Sequence, residues 1–297
     1  MNAPMCPPPD PNPKKPDIPT PNGACDCHNH VFGPSYRFPY AKDRSYTPPD
    51  APVEDLITMH EILGFERAVI VQGSAHGTDN SAMLNALEQY PERFRGVAVQ
   101  PTEITDRELD RMVRLGVQGL RFNHMFKNGQ LYYKGGIGIE DFEALHDRMA
   151  ERGLHMQLWI NCVDLPDLWP RIKDSAVPIV VDHMGRLDAT RGVDNPGFKF
   201  LVNLLGEGKV WVKLSGAYRL TNNWPNYPET RPFHEALVSA NPYQCVWGTD
   251  WPHPRQEARM PNVGALLDLF NEWTPKNEIR KLILVDNPAR FYRFQQD

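Results

Sequence analysis

No run of this 297-residue chain comes near the ~20 consecutive apolar residues that a membrane-spanning helix needs. A membrane partner is therefore not expected. Cysteine is sparse and odd in number: Cys6, Cys25, Cys27, Cys162 and Cys245 show no framework spacing. A disulfide-stapled fold is excluded on that count, and a reducing, cytoplasmic compartment fits. No long run of one charge sign occurs, and the net charge is −5. The chain thus lacks the basic face of a nucleic-acid binder, and no such partner is expected. An anionic substrate has to be held by positive charge placed locally. The opening residues carry no apolar core of a secretory signal. Residues 1–22 are proline-rich and read as an extended arm, leaving 23–297 as one domain. Nothing in the sequence specifies an oligomeric state.

What the chain does have is alternation. Apolar, strand-like runs fall at 24–31, 67–72, 96–100, 119–122, 155–160, 178–182, 210–214 and 245–247. Between and after them lie helix-period segments at 53–63, 80–90, 105–115, 139–152, 164–174, 198–206, 232–240 and 263–273. Eight strands, each followed by a helix, predict a (β/α)8 barrel, a fold of about 250 residues. Ala68-Val69-Ile70-Val71 is apolar on both faces, as a buried parallel strand must be. Thr105 with Glu108 predicts a capping box, and Asp79-Asn80-Ser81 offers caps to the second helix. Loops at 33–52, 123–138 and 221–231 are longer than the rest, and all three would open on the catalytic face.

Barrel enzymes keep their chemistry at the C-terminal strand ends. There the sequence offers His28 and His30 after strand one, His183 after strand six and Asp250 after strand eight. Spacing of two places His28 and His30 on one face of a strand. Cys25 and Cys27 would then face the surrounding helices as small hydrophobes. Asp250 suits a general base that takes a proton from water. The three imidazoles polarise a carbonyl oxygen either directly or through one bound divalent ion. Three His and one Asp make a zinc or manganese shell, with metal-independent chemistry as the alternative. No lysine stands at the end of strand four, so a binuclear site bridged by a carbamylated lysine is not expected. Tyr46, Ser74, His76, Arg121, Lys127, Arg219 and His253 form a second, substrate-holding set on the same face. Arg121 is the sharpest of these, because an unpaired charge inside a barrel strand is costly.

Five segments carry a resemblance: Asp26-Cys27-His28-Asn29-His30-Val31-Phe32-Gly33-Pro34, residues 72–80 from Gln72-Gly73-Ser74, Arg121-Phe122-Asn123, Asp182-His183-Met184-Gly185-Arg186, and Trp247-Gly248-Thr249-Asp250-Trp251-Pro252-His253-Pro254. From about Gly23 to Phe294 the chain resembles the amidohydrolase superfamily, in its branch of 2-pyrone-4,6-dicarboxylate hydrolases and related lactonases. The resemblance implies a barrel enzyme of aromatic-compound breakdown that opens a lactone ring with water. Asp250 would activate the water, and His28, His30 and His183 would surround the lactone carbonyl. Tyr46, Ser74, Arg121 and Arg219 match positions that hold the substrate's carboxylates. The pyrone branch works without a metal, although the same four residues bind one elsewhere in the superfamily. Three positions depart from the pattern. Lys127 replaces a second arginine, Trp159 replaces a tyrosine, and Tyr218 replaces an acid. These departures line the pocket, so a zinc-dependent 4-sulfomuconolactone hydrolase is the second reading. A metal-dependent decarboxylase of an aromatic acid is the third.

Overall fold

A computed structural model describes residues 3–127, 130–132, 136–256 and 259–295; for Lys127, Gln130 and Leu131 it describes the backbone alone. Eight parallel strands follow one another around a barrel: β1 Cys25–Asn29, β2 Arg67–Val71, β3 Phe94–Ala98, β4 Val117–His124, β5 His155–Ile160, β6 Ile179–Val181, β7 Trp211–Leu214 and β8 Cys245–Trp247. The ring closes just beyond β8. There the Asp250 amide donates to His28 O at 2.7 Å and the His30 amide to Trp251 O at 2.8 Å. Gly248 makes this approach feasible, since a Cβ there would lie 2.5 Å from the His28 nitrogen.

The helices between strands are α1 Val53–Leu63, α2 Ser81–Gln89, α3 Asp106–Arg114, α4 Ile139–Glu151, α5 Leu165–Ile172, α6 Pro196–Gly206, α7 Arg231–Ala240 and α8 Val263–Trp273. Strand alternation divides the core in two. Ala68, Ile70, Leu120, Met156, Leu158 and Val181 pack against the helices. Val69, Val71, Val97, Val180 and Val246 fill the barrel interior, with Tyr292 and Phe294 below them. Those two aromatics follow three short helical segments, Asn277–Lys281, Leu282–Asp286 and Asn287–Phe291, which the periodicity of the sequence did not reveal.

Two local expectations are corrected. Cys25 and Cys27 are fully buried inside the barrel with Val69 and Tyr292, not under the helices. The cause is a register irregularity between Asp26 and Asn29. It lets Cys27 and His28 both face inward while Asp26 faces His60 on α1, 3.0 Å away. Of the caps offered by Asp79-Asn80-Ser81, Asp79 serves, its Oδ1 accepting from Ser81 N at 3.0 Å, whereas Asn80 does not cap α2. Its amide instead ties Val99 at the end of β3, accepting from Val99 N at 3.0 Å and donating to Val99 O at 2.9 Å. Thr105 does cap α3, accepting from Glu108 N at 3.2 Å.

The arm is docked along its described length. Lys14 Nζ meets Asp268 of α8 at 2.6 Å, and Cys6 N donates to Thr47 O at 2.8 Å. The loop after β4 carries a small hairpin, Phe126–Lys127 with Gln130–Leu131. No helix among the described residues is long and apolar enough to cross a membrane.

Candidate active site

Asp250 lies fully buried just past β8, with a backbone φ of +61°. His183, after β6, is similarly left-handed at φ +50°. Non-glycine residues in this region are uncommon and concentrate at functional sites. Three imidazoles surround the Asp250 carboxylate. His30 Nε2 is 3.3 Å and His28 Nε2 3.8 Å from Oδ1, and His183 Nε2 is 3.9 Å from Oδ2. Each ring has its other nitrogen turned elsewhere. His30 Nδ1 is 2.8 Å from Val71 O. A carbonyl only accepts, so Nδ1 carries the proton, and Nε2 faces Asp250. His183 Nδ1 meets Ser215 Oγ at 2.8 Å. His28 Nδ1 approaches Asp182 Oδ1 at 3.3 Å, a contact too poorly aligned for a good hydrogen bond.

Burial pushes His28 down to about 4, against the pull of Asp182. Burial also holds His183 well below its ordinary value, although Asp250 opposes it. Burial by itself would raise Asp250, but Arg219, His183, the His30 hydrogen bond and His28 hold its carboxyl well below the usual range. Ring nitrogens converging on one buried carboxylate are the donor set of a cation site. The ligand atoms of His28, His183 and Asp250 lie within 4.8 Å of one another. The 3.8 and 3.9 Å separations of His28 and His183 from Asp250 approach the spacing of about 3.4 Å around a tetrahedral ion bound at about 2.1 Å. The residues present fit a single divalent ion.

Beneath the imidazoles runs a network of buried charge. Arg121 donates from Nε and Nη2 to Asp182 Oδ2 at 3.1 and 3.0 Å. Gln157 Nε2 donates to the same oxygen at 3.2 Å. Lys213 Nζ donates to Gln157 Oε1 at 2.6 Å and Cys27 O at 2.8 Å. Burial lowers Lys213 to about 8, with Asp182 opposing. Burial would raise Asp182, but His28, Arg121 and Lys213 keep it well below the carboxylate range. Asp182 is thereby fixed as an anion behind His28.

A family profile described as amidohydrolase matches residues 25–294. The chain belongs to the amidohydrolase family. It is 38% identical to a 2-pyrone-4,6-dicarboxylate hydrolase of Comamonas testosteroni, over 95% of this chain and 93% of that one. It is 37% identical to a 4-sulfomuconolactone hydrolase of Hydrogenophaga intermedia, over 92% and 89% of the two chains. A Pseudomonas putida protein crystallised as a candidate 2-pyrone-4,6-dicarboxylic acid hydrolase superposes with a TM-score of 0.80 at 33% identity, covering 93% of this chain and 99% of that one.

In this amidohydrolase a small pocket opens over Asp250, walled by His30, Tyr46, Ser74, Arg121, Trp159, His183, Arg219 and Pro254. It gathers most of the residues expected from sequence, with differences in what they touch. Arg219 Nε donates to Asp250 Oδ2 at 2.5 Å, so this guanidinium both grips Asp250 and lines the pocket. Arg121 likewise spends two donors on Asp182 before any substrate arrives. Tyr46 and Ser74 are joined only by a long 3.4 Å contact. The side chain of Lys127 lies outside the described residues.

Two expected residues turn away from the pocket. His76 Nε2 accepts from Gly33 N at 3.3 Å and its Nδ1 meets Pro39 O at 3.2 Å, so it holds the 33–52 loop. His253 is buried behind Asp250, with Nδ1 2.9 Å from Tyr218 Oη. Tyr218 in turn donates to Asp250 Oδ2 at 2.6 Å. Sequence reasoning singled out neither Asp182 nor Lys213 as a site residue, and it set Tyr218 on the pocket wall rather than on Asp250. The argument that flagged Arg121 applies equally to Lys213, a lone cation inside the apolar run Val210-Trp211-Val212-Lys213-Leu214.

Proposed function

We propose that this amidohydrolase opens the ring of a small, doubly anionic lactone, with Asp250 taking the proton from the attacking water. One observation carries the proposal: a buried carboxylate ringed by three imidazoles shares a single pocket with the guanidinium groups of Arg121 and Arg219. The two curated relatives add support, since both are named for the hydrolysis of lactones that carry acid groups. Tyr218 and Arg219 occupy Oδ2 of Asp250, so Oδ1 is the oxygen that faces the water. As water attacks the lactone carbonyl, a C–O bond forms and its proton passes to Oδ1. The tetrahedral intermediate then breaks the ring C–O bond, and the departing oxygen takes the proton back from Asp250. Arg219, Arg121 and Lys127 hold the acid groups away from the Asp250 carboxylate, with Tyr46 and Ser74 fixing the ring.

His28, His30, His183 and Asp250 would hold one divalent ion, zinc or manganese, which when bound polarises the carbonyl and lowers the pKa of water. Elemental analysis beside activity tests this part. The donor set predicts about one ion per chain, activity lost on chelation, and recovery with zinc or manganese. Full turnover by metal-free protein would instead assign carbonyl polarisation to the imidazoles alone. Assaying pyrone dicarboxylate against sulfomuconolactone separates a carboxylate from a sulfonate substrate. Loss of lactone absorbance without carbon dioxide release excludes decarboxylation.

A further inference from the structure

A second space adjoins the reaction pocket and is left unused by the chemistry above. It is small, with a cavity volume of about 20 Å3, and Ser74, Arg121 and Trp159 wall both spaces. Beyond them its lining is chiefly Val99, Phe122, Ile137 and Asn123. Asn123 is only 7% exposed. Its Oδ1 accepts from the Met125 amide at 2.8 Å, which fixes the orientation of the side-chain amide. Its backbone amide is committed to Ile137 O at 2.7 Å. Nδ2 is left buried with no hydrogen-bond partner among the described residues. A buried donor without a partner in a native structure calls for an explanation, and an acceptor brought by a ligand supplies one.

The chemistry of that acceptor follows from the walls. Arg121 is the one charged side chain among the described lining residues, and two of its donors are already on Asp182. Gln72 is also committed, donating to Asp79 O at 2.8 Å. Among the described residues an additional anion would find no free charge here, whereas a short apolar group tipped with a neutral oxygen would meet Val99, Phe122 and Ile137 along its length and Asn123 at its end. We propose that this annex is a substrate subsite for a small uncharged substituent bearing a hydrogen-bond-accepting oxygen, of the methoxy or keto type. The proposal rests on the lactone reading for the identity of the ring that carries the substituent.

Calorimetric binding to Asp250→Asn protein tests it without turnover, using two anionic ring lactones that differ only in a methoxy group. The methoxy compound should bind at least tenfold more tightly. Asn123→Leu, which removes the donor at similar volume, should abolish most of that advantage and leave the plain compound unchanged. Val99→Phe should do the same by filling the space. Equal affinities of the two compounds, or variants that weaken both alike, would mean that the annex holds only solvent and would overturn the proposal. Hydrolysis is scored separately in the unaltered enzyme. A methoxy preference without lactone turnover keeps the annex and removes the lactonase reading. Turnover indifferent to the methoxy group does the reverse.

Discussion

On the proposed mechanism, a substrate anion and the Asp250 carboxylate compete for the guanidinium of Arg219. In the structure Asp250 has it, at 2.5 Å. An incoming acid group would share or draw off that charge, and Asp250 would regain basicity as the substrate settles. A charge-assisted hydrogen bond contributes about 1.5–3 kcal/mol, or roughly ten- to a hundredfold in binding. Arg219→Met should therefore raise KM by at least about tenfold for a dianionic lactone and much less for a neutral analogue. Equal changes for both would show that Arg219 serves only Asp250. At this scale His28, His30, His183 and Asp250 were legible because each ends or closely follows an apolar run. The partners of Arg121 and Arg219 were not. They lie 61 and 31 residues away along the chain and become neighbours only once the barrel closes.

The strand that decides the site is β1, through its irregularity. A regular strand would have put Asp26 on the same face as His28, as alternation from the sequence suggested. The shift turns Asp26 outward, where it accepts from Thr249 N at 2.9 Å, Thr249 Oγ1 at 2.7 Å and His60 at 3.0 Å. These bonds staple β1 to the segment that carries Asp250. Removing a buried, paired carboxylate typically costs about 3–5 kcal/mol. Asp26→Ala should lower unfolding free energy by that order in urea titrations and reduce turnover, although Asp26 touches no substrate. A loss below about 1 kcal/mol would mean that closure rests on the backbone bonds alone. Element existence and order were readable, since β-branched runs alternate with helix-period segments. The bulge was not, because no glycine or proline marks it.

Across the whole molecule, buried histidines shape the response to acid, and two of them do not line the pocket. Burial lowers His155, on the barrel floor, to about 3. It lowers His234, on α7, to about 3 as well. Unfolded histidine titrates near 6.5. Between those values the unfolded chain binds protons that the folded chain refuses, so stability rises with pH there and is lost as pH falls from about 6.5 toward 3. Unfolding measured at pH 5 should take up close to two protons from this pair, and His234→Gln should remove about one. A pH-independent unfolding free energy between 6.5 and 4.5 would contradict this placement. The barrel floor also marks the limit of reading a sequence. The eightfold alternation predicts the barrel, but the short segments after Trp273 carry too few turns to show a period. Their packing beneath Cys25 and Cys27 emerges only in three dimensions.

The most direct test of the account is the rate at which folded Asp250→Asn protein opens a dianionic lactone, followed by loss of ring absorbance beside the unaltered enzyme. Asparagine keeps the size and much of the hydrogen bonding of the residue but cannot accept the proton. The account predicts a fall in kcat on the order of 10²-fold or more with an unchanged circular dichroism spectrum. A folded variant that retains near-normal turnover would show that Asp250 is not the base.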